Sequence, residues 1–379
     1  GEMARPPLSL ALCLLCVGFS SAFSPPAALF TAQKRQGRAD TWRMLIIQAQ
    51  PPKFSSKDVS ANWQQPDAQG TFGKVYFGKQ GMMGMGGQVV VKVPVNNAVN
   101  KKFAASIFQT EKAVNEKLAR TPNPRVAKYL GDIGFQPGDL PGDLENIGLM
   151  FKREAGESME DMLLDGKDLS GKLGARDGGL AKPDLCTRVM GELLVACAQM
   201  HDVGVIHRDI KPENIIVTGG GEPLKLIDFG SSCDISTGMG VNDISLDPTY
   251  APPEKRIQGQ QAGKYDVYCV AMTGLRCLLP SFSKDPRPGV NERAGQTSLM
   301  MEFGEVEFPR ADCRFERWAS GVRNGRGDPR LQDELEDLFA GGNEDLIRVL
   351  HGMLAKQVGA RFEARRALAE LGQPWAGKA

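Results

Sequence analysis

The chain has 379 residues, 41% hydrophobic and 24% charged, with a formal net charge of +1. That length exceeds one small core and suits a two-lobed domain of about 250–300 residues with a leader. The balanced charge excludes a global basic field, so nucleic acid is not an expected partner.

Met3 reads as the start, with Gly1 and Glu2 as upstream sequence. Arg5, the apolar run 8–17 and the small residues Gly18, Ser20, Ser21 and Ala22 read as a secretory signal peptide over 1–22. The run is too short to span a bilayer comfortably. Residues 23–60 read as a disordered, transit-like leader. Over 23–53, Lys34, Arg35, Arg38, Arg43 and Lys53 stand against a single acid, Asp40, and a basic, acid-poor stretch is the transit signature. The junction Ser21-Ala22-Phe23-Ser24-Pro25 resembles the one that opens the transit part of bipartite plastid presequences. It implies a plastid destination; a secreted or membrane-tethered protein is the alternative.

Strands are expected at 71–78 (Phe72, Val75, Phe77) and 88–95 (Val89, Val90, Val91, Val93), joined by the Gly/Met run 81–87. A helix is expected over 100–120, ending before Pro122. Further strands follow at 126–134 and 147–152, around a Pro/Gly/Asp loop at 136–143. Beyond residue 155 the signals turn helical: 158–164, 184–203, 264–279, 330–338 and 344–355. Residues 165–182 show no core periodicity and read as an insertion. The expected class is α+β, with a β-rich lobe carrying one helix over 61–152, an α-rich lobe over 153–371 and a tail at 372–379. Eight cysteines are scattered, which points to free thiols in a reducing compartment rather than zinc or disulfides.

Lys92 stands inside a β-branched strand, where a charge needs a partner. The helix 100–120 carries the apolar stripe Phe103, Ile107, Val114 and Leu118. Glu111 lies on that stripe and is the expected partner. Glu116 lies about 140° around the helix and reads as solvated.

The run His207-Arg208-Asp209-Ile210-Lys211-Pro212-Glu213-Asn214 is followed by Asp228-Phe229-Gly230. On these motifs residues 66–370 resemble the eukaryotic-type protein kinases, which implies a bilobal kinase fold with ATP and Mg2+ as cofactors and a protein substrate. Asp209 would orient the substrate hydroxyl, and Lys211, typical of Ser/Thr kinases, would neutralise the transferring phosphate. Asn214 and Asp228 offer hard oxygen ligands for Mg2+. Lys92 paired with Glu111 is the family's ion pair. Gly70, Gly73 and Val75 match the glycine-rich loop over the nucleotide, with Ala68 where the family has its first glycine. Phe151 would close the back of the adenine pocket, and backbone groups of Lys152, Arg153 and Glu154 would bond adenine.

The resemblance also implies that Glu254 pairs with Arg361 and that Asp266 braces the catalytic loop. Asp247 stands where many Ser/Thr kinases have Thr; its carboxylate could pair with Lys211. The run 246–254, with Lys264-Tyr265-Asp266-Val267-Tyr268, Leu279-Pro280-Ser281-Phe282 and Arg317-Trp318, looks similar to the chloroplast thylakoid kinases of antenna and photosystem II proteins. It implies thylakoid association through substrate; a monomer is expected. Arg208 would await an anion from the activation segment, Asp228 to Glu254, with Ser236, Thr237 and Ser245 as candidates or as unmodified hydroxyls. Cys233 reads as a redox-sensitive or an ordinary thiol. The competing functions are a pseudokinase scaffold and a small-molecule kinase.

Overall fold

The computed structural model describes residues 53–70, 72–81, 86–95, 101–121, 123–175, 179–241, 246–254, 256–257, 259–283 and 298–372. The expected signal peptide (1–22), most of the expected leader and nearly all of the expected tail therefore lie outside the described residues, as do Thr71, Pro122 and Ser245.

The first lobe is a seven-stranded sheet. Its strands are β1 (Phe54–Ser55), β2 (Val59–Ala61), β3 (Ala68–Gln69), β4 (Gly73–Gln80), β5 (Gln88–Pro94), β6 (Tyr129–Gly134) and β7 (Ile147–Lys152). They pair in the order β1-β6-β7-β5-β4-β2, with β3 also on β4. Alternate residues of a strand face opposite sides, and here the two sides differ in purpose. Tyr76, Val89, Val91, Val93, Ile133 and Met150 form the core of one face. The opposite face carries Val75 beside Lys92, Lys92 beside Leu149, and Val90 beside Phe151. Helix α1 (Lys101–Ala119) follows β5, as the apolar stripe requires.

One boundary moves. Residues 54–60, read from the sequence as leader, form part of this lobe: Phe54 pairs with Ile133 and Val59 with Gln80. Strands of two and three residues carry too little periodicity to be recognised.

The second lobe opens with β8 (Glu157–Ser158) and α2 (Met159–Leu164), capped by the Ser158 hydroxyl, which accepts from the Asp161 amide at 3.1 Å. Then come α3 (Leu169–Lys172), α4 (Lys182–Asp202), β9 (Val205–Ile206), β10 (Ile215–Val217), β11 (Lys225–Leu226), β12 (Cys233–Asp234) and α5 (Lys264–Leu278). Every residue of α5 is buried, which marks a central helix rather than an amphipathic one. The supposed insertion 165–182 contains α3, capped by Asp168, with Leu169 and Leu173 in the core.

The lobe is completed by α6 (Ser298–Glu302), α7 (Phe308–Arg310), α8 (Phe315–Gly321), α9 (Pro329–Ala340), α10 (Glu344–Met353) and α11 (Ala364–Leu371). Around α6 to α8, Phe282, Phe303, Phe308, Phe315 and Trp318 meet at ring-centroid distances of 4.6–6.1 Å. Sequence periodicity missed this cluster because a π-helical turn at Phe303–Glu307 and a kink at Asn324 and Gly325, where the backbone leaves the helical region, interrupt the 3.6-residue repeat. Among the described residues no helix is long and apolar enough to cross a membrane.

Arg361 fastens the end of the activation segment to this lobe. Its guanidinium is buried and donates to Glu254 Oε1 at 2.7 Å and Oε2 at 2.9 Å, the pairing the sequence implied. Removing one member of a buried pair costs about 3–5 kcal/mol, because the other is left uncompensated. Arg361→Ala should therefore lower the unfolding free energy by about that amount in urea denaturation; a loss below about 1 kcal/mol contradicts the role.

Candidate active site

The catalytic loop is held in an unfavourable backbone conformation. Arg208 has φ 67° and Asp228 has φ 58°, values that L side chains adopt at some cost. Asp266, on α5, stabilises the first of these. One carboxylate oxygen accepts the His207 amide at 2.9 Å and the other accepts the Arg208 amide at 2.8 Å. His201 lies 2.9 Å from the same carboxylate. Burial alone would raise the Asp266 carboxyl, but His201 and the loop amide outweigh it and hold it below the usual range. The expected brace is present. The His207 ring stacks near Phe229 at 4.7 Å, which joins the loop to the segment that carries Asp228.

Lys92 reaches across the cleft. Its Nζ lies 2.9 Å from Glu111 Oε2 and 2.6 Å from Asp228 Oδ1. Glu111 is 2% exposed, as its place on the apolar stripe required, whereas Glu116 is half-buried and 3.8 Å from Lys112. Desolvation would lower the Lys92 ammonium; the charges of Asp228 and Glu111 outweigh it and hold it above its usual value. The same pairing, with the Gly230 amide, outweighs desolvation in the cleft and holds the Asp228 carboxyl at about 2. Asp228 is thus ionised throughout the physiological range.

On the far side of the cleft the Asn214 amide nitrogen donates to Asp209 Oδ2 at 2.9 Å and to the Asp209 carbonyl at 2.8 Å. That leaves the Asn214 side-chain oxygen as the ligand atom it can offer. Lys211 Nζ lies 3.4 Å from Asp209 Oδ1 and 3.2 Å from Asp247 Oδ2. With Asp228, Asn214 forms a pair of hard oxygen donors on adjoining segments, a set that fits Mg2+.

The glycine-rich turn is closed by the Gly70 amide donating to the Gly73 carbonyl at 2.7 Å. A Cβ on Gly73 would stand 3.1 Å from the Val93 carbonyl, so the close strand approach favours glycine there. Ala68 pairs with Val75 in ordinary strand register, so the missing first glycine introduces no strain. Phe72 meets Phe103 of α1 at 5.5 Å. Phe151 lies on the Lys92 face and contacts Tyr129. The Lys152 amide donates to Lys128 and the Arg153 amide to Gln88. Among the described residues, the Glu154 amide makes no such backbone bond.

Sequence reasoning missed a buried network behind the activation segment. Arg276, 1% exposed, donates to the Tyr250 hydroxyl at 2.7 Å, Glu160 at 3.1 Å and Ser283 at 2.9 Å. A signal existed: Arg276 interrupts an apolar helix, as Lys92 interrupts an apolar strand. Beside it, burial and the neighbouring Glu160 push the Glu213 carboxyl up to about 8.

Arg208 also departs from expectation. Its guanidinium donates to the carbonyls of Ser231, Ser232, Gly240 and Val241. Lys117 of α1 pairs with Asp234 at 2.8 Å and reaches Ser236 at 2.8 Å. Cys233 is buried, and burial pushes its thiol up to about 11, which favours the ordinary-thiol reading over the redox one.

Asp228→Asn should weaken binding of a non-hydrolysable nucleotide in the presence of Mg2+ by about 100-fold, or about 2.7 kcal/mol. Without Mg2+ the affinity should be nearly unchanged. Calorimetric titration reads both, and an equal loss in the two conditions contradicts the assignment.

A protein kinase domain model matches residues 68–375. Among curated proteins, the chain is 27% identical over 254 residues to the chloroplastic serine/threonine-protein kinase STN7 of Arabidopsis thaliana, covering 60% of this chain and 41% of the relative. It is 28% identical over 289 residues to the chloroplastic serine/threonine-protein kinase STN8 of Arabidopsis thaliana, covering 66% and 54%. The chain thus spans about half the length of these relatives. Among solved structures, the crystal structure of an Stt7 homologue from Micromonas algae soaked with ATP superposes with a TM-score of 0.66, covering 92% of this chain and 99% of that one. At 20% identity this likeness concerns the fold. The family match extends over most of the chain and takes in every residue of the cleft from Ala68 onward, and on that ground the chain belongs to the protein kinase family.

Proposed function

We propose that this chain is an ATP-dependent protein serine/threonine kinase of the plastid, acting on Ser or Thr hydroxyls of thylakoid proteins. The observation that carries the reading is the meeting of Lys92, Glu111 and Asp228 within hydrogen-bond distance, across a cleft from the Asn214-held carboxylate of Asp209.

Phosphoryl transfer needs position and charge neutralisation more than covalent chemistry. The acceptor hydroxyl oxygen bonds to the γ-phosphorus of ATP, the bond to the β–γ bridging oxygen breaks, and ADP leaves. Asp209 orients that hydroxyl and takes its proton. The Asn214 amide keeps Asp209 turned toward the acceptor. Lys92 presents its charge to the phosphates, and Glu111, fixed in α1, keeps that charge in place. Gly70, Gly73 and Val75 cover the phosphates, and Phe151 and the Glu154 amide receive the adenine. Mg2+, held by the oxygens of Asn214 and Asp228, would neutralise phosphate charge.

The plastid assignment rests on the basic, acid-poor stretch 23–53 and on the likeness to two chloroplastic kinases. The thylakoid substrate class rests on the same likeness and on the run Leu246 to Glu254. A monomer that meets the membrane through its substrate is the simplest form consistent with this reading.

The test is incubation of the chain with Mg-ATP and isolated thylakoids, with phosphosites read by mass spectrometry. Wild type should phosphorylate Ser or Thr residues. Asp209→Asn should lower turnover by about 10²–10⁴-fold while retaining nucleotide affinity. Undiminished transfer by that variant would refute the assignment of Asp209.

A further inference from the structure

Asp247 carries a charge at a place where the fold does not need one. The peptide-docking end of the activation segment is already anchored four ways. Tyr250 is tied to Arg276 through its hydroxyl. The Asp247 carbonyl accepts the Tyr250 and Ala251 amides at 3.2 and 2.9 Å. Thr249 is buried, with its hydroxyl 3.3 Å from Glu305, and Gly304 lies so close that a Cβ there would stand 2.4 Å from the Thr249 carbonyl. Glu254 is bound to Arg361. None of these contacts uses the Asp247 carboxylate.

That carboxylate is divided between two tasks. Oδ1 accepts the Thr249 amide at 3.0 Å, closing a local turn. Oδ2 lies 3.2 Å from Lys211 Nζ. Both side chains of this pair are 8% exposed. A pair so buried loses much of its attraction to desolvation, so its retention is weakly explained by stability. Lys211 also lies 3.4 Å from Asp209 Oδ1. One ammonium is thus shared between the carboxylate that faces the acceptor and a carboxylate fixed in the docking segment.

We propose that Asp247 is a positioning residue for phosphoryl transfer: its charge holds the Lys211 ammonium beside Asp209 and couples the docking segment to the acceptor site. A neutral residue able to close the same turn does not replace it. The inference rests on the kinase reading above and assigns a determinant within that site.

The test separates charge from turn. Asp247→Asn keeps an acceptor for the Thr249 amide and removes the charge. Steady-state transfer from Mg-ATP is measured with casein and with isolated thylakoids as acceptors. The expected result is a fall in kcat of about tenfold or more, with KM for Mg-ATP within about twofold and an unchanged thermal midpoint. In a Lys211→Met background the same substitution should have no further effect, since the two residues act as one unit. Asp247→Glu, which keeps the charge, should retain more activity than the Asn variant. Turnover by Asp247→Asn within twofold of wild type, or full multiplication of the two losses in the double variant, would overturn the proposal. If the Asn variant does not fold, Asp247→Thr is judged by the same two criteria. Absence of transfer by wild type from either acceptor would overturn the kinase reading itself, whereas active wild type with an unaffected variant would overturn this inference alone.

Discussion

The Lys92 ammonium ties the two lobes together at the cleft. Lys92 Nζ lies within 2.9 Å of a carboxylate from α1 and 2.6 Å of a carboxylate from the start of the activation segment. Three distant stretches of chain must be in place for this contact to exist. The sheet must present Lys92 on its inner face, α1 must turn Glu111 inward, and the backbone at Asp228 must adopt its left-handed φ. Because the ion pair is sensitive to each of these, it reports the competent arrangement of the cleft as a whole.

The rest of the large lobe repeats one device. A charged side chain is buried, and its hydrogen bonds fix a loop that would otherwise wander. Asp266 grips the catalytic loop by two backbone amides, Arg276 grips Tyr250, and Arg361 grips Glu254. Buried charges of this kind contribute little net stability once desolvation is counted. What they contribute is position, and each sits on or near α5 or the helices after it, a rigid scaffold beneath loops that do the chemistry. Arg208 serves the same end from within the loop, by donating to four carbonyls of the segment it faces.

Much of this was legible in the residues. The long strands β4, β5 and β7 and the helices α1, α4, α5, α9 and α10 carry enough repeats for periodicity to reveal them within a few residues. Glu111 could be chosen over Glu116 because an acid on an apolar stripe needs a partner. The sequence hid what depends on short or irregular elements. The strands at residues 54–61 and the helix at 169–172 are too short to repeat any useful pattern. The aromatic cluster around Trp318 was concealed by the π-helical turn at Phe303–Glu307 and the kink at Asn324 and Gly325. Arg276 was overlooked although the argument applied to Lys92 applies to it equally. The directions of Arg208 and of the hinge amides are tertiary facts, set by which carbonyls the folded chain brings near, and no local pattern encodes them.

Lys92 and Glu111 should act as one unit in phosphate transfer. A double-mutant cycle measures this directly, using Lys92→Met, Glu111→Gln and the pair, with kcat/KM for Mg-ATP as the readout. The ion pair predicts a coupling of about 1.5 kcal/mol or more, so that the double variant is hardly worse than Lys92→Met alone. Losses that add to within about 0.5 kcal/mol would mean that the two side chains work independently, and the account of the cleft would be contradicted.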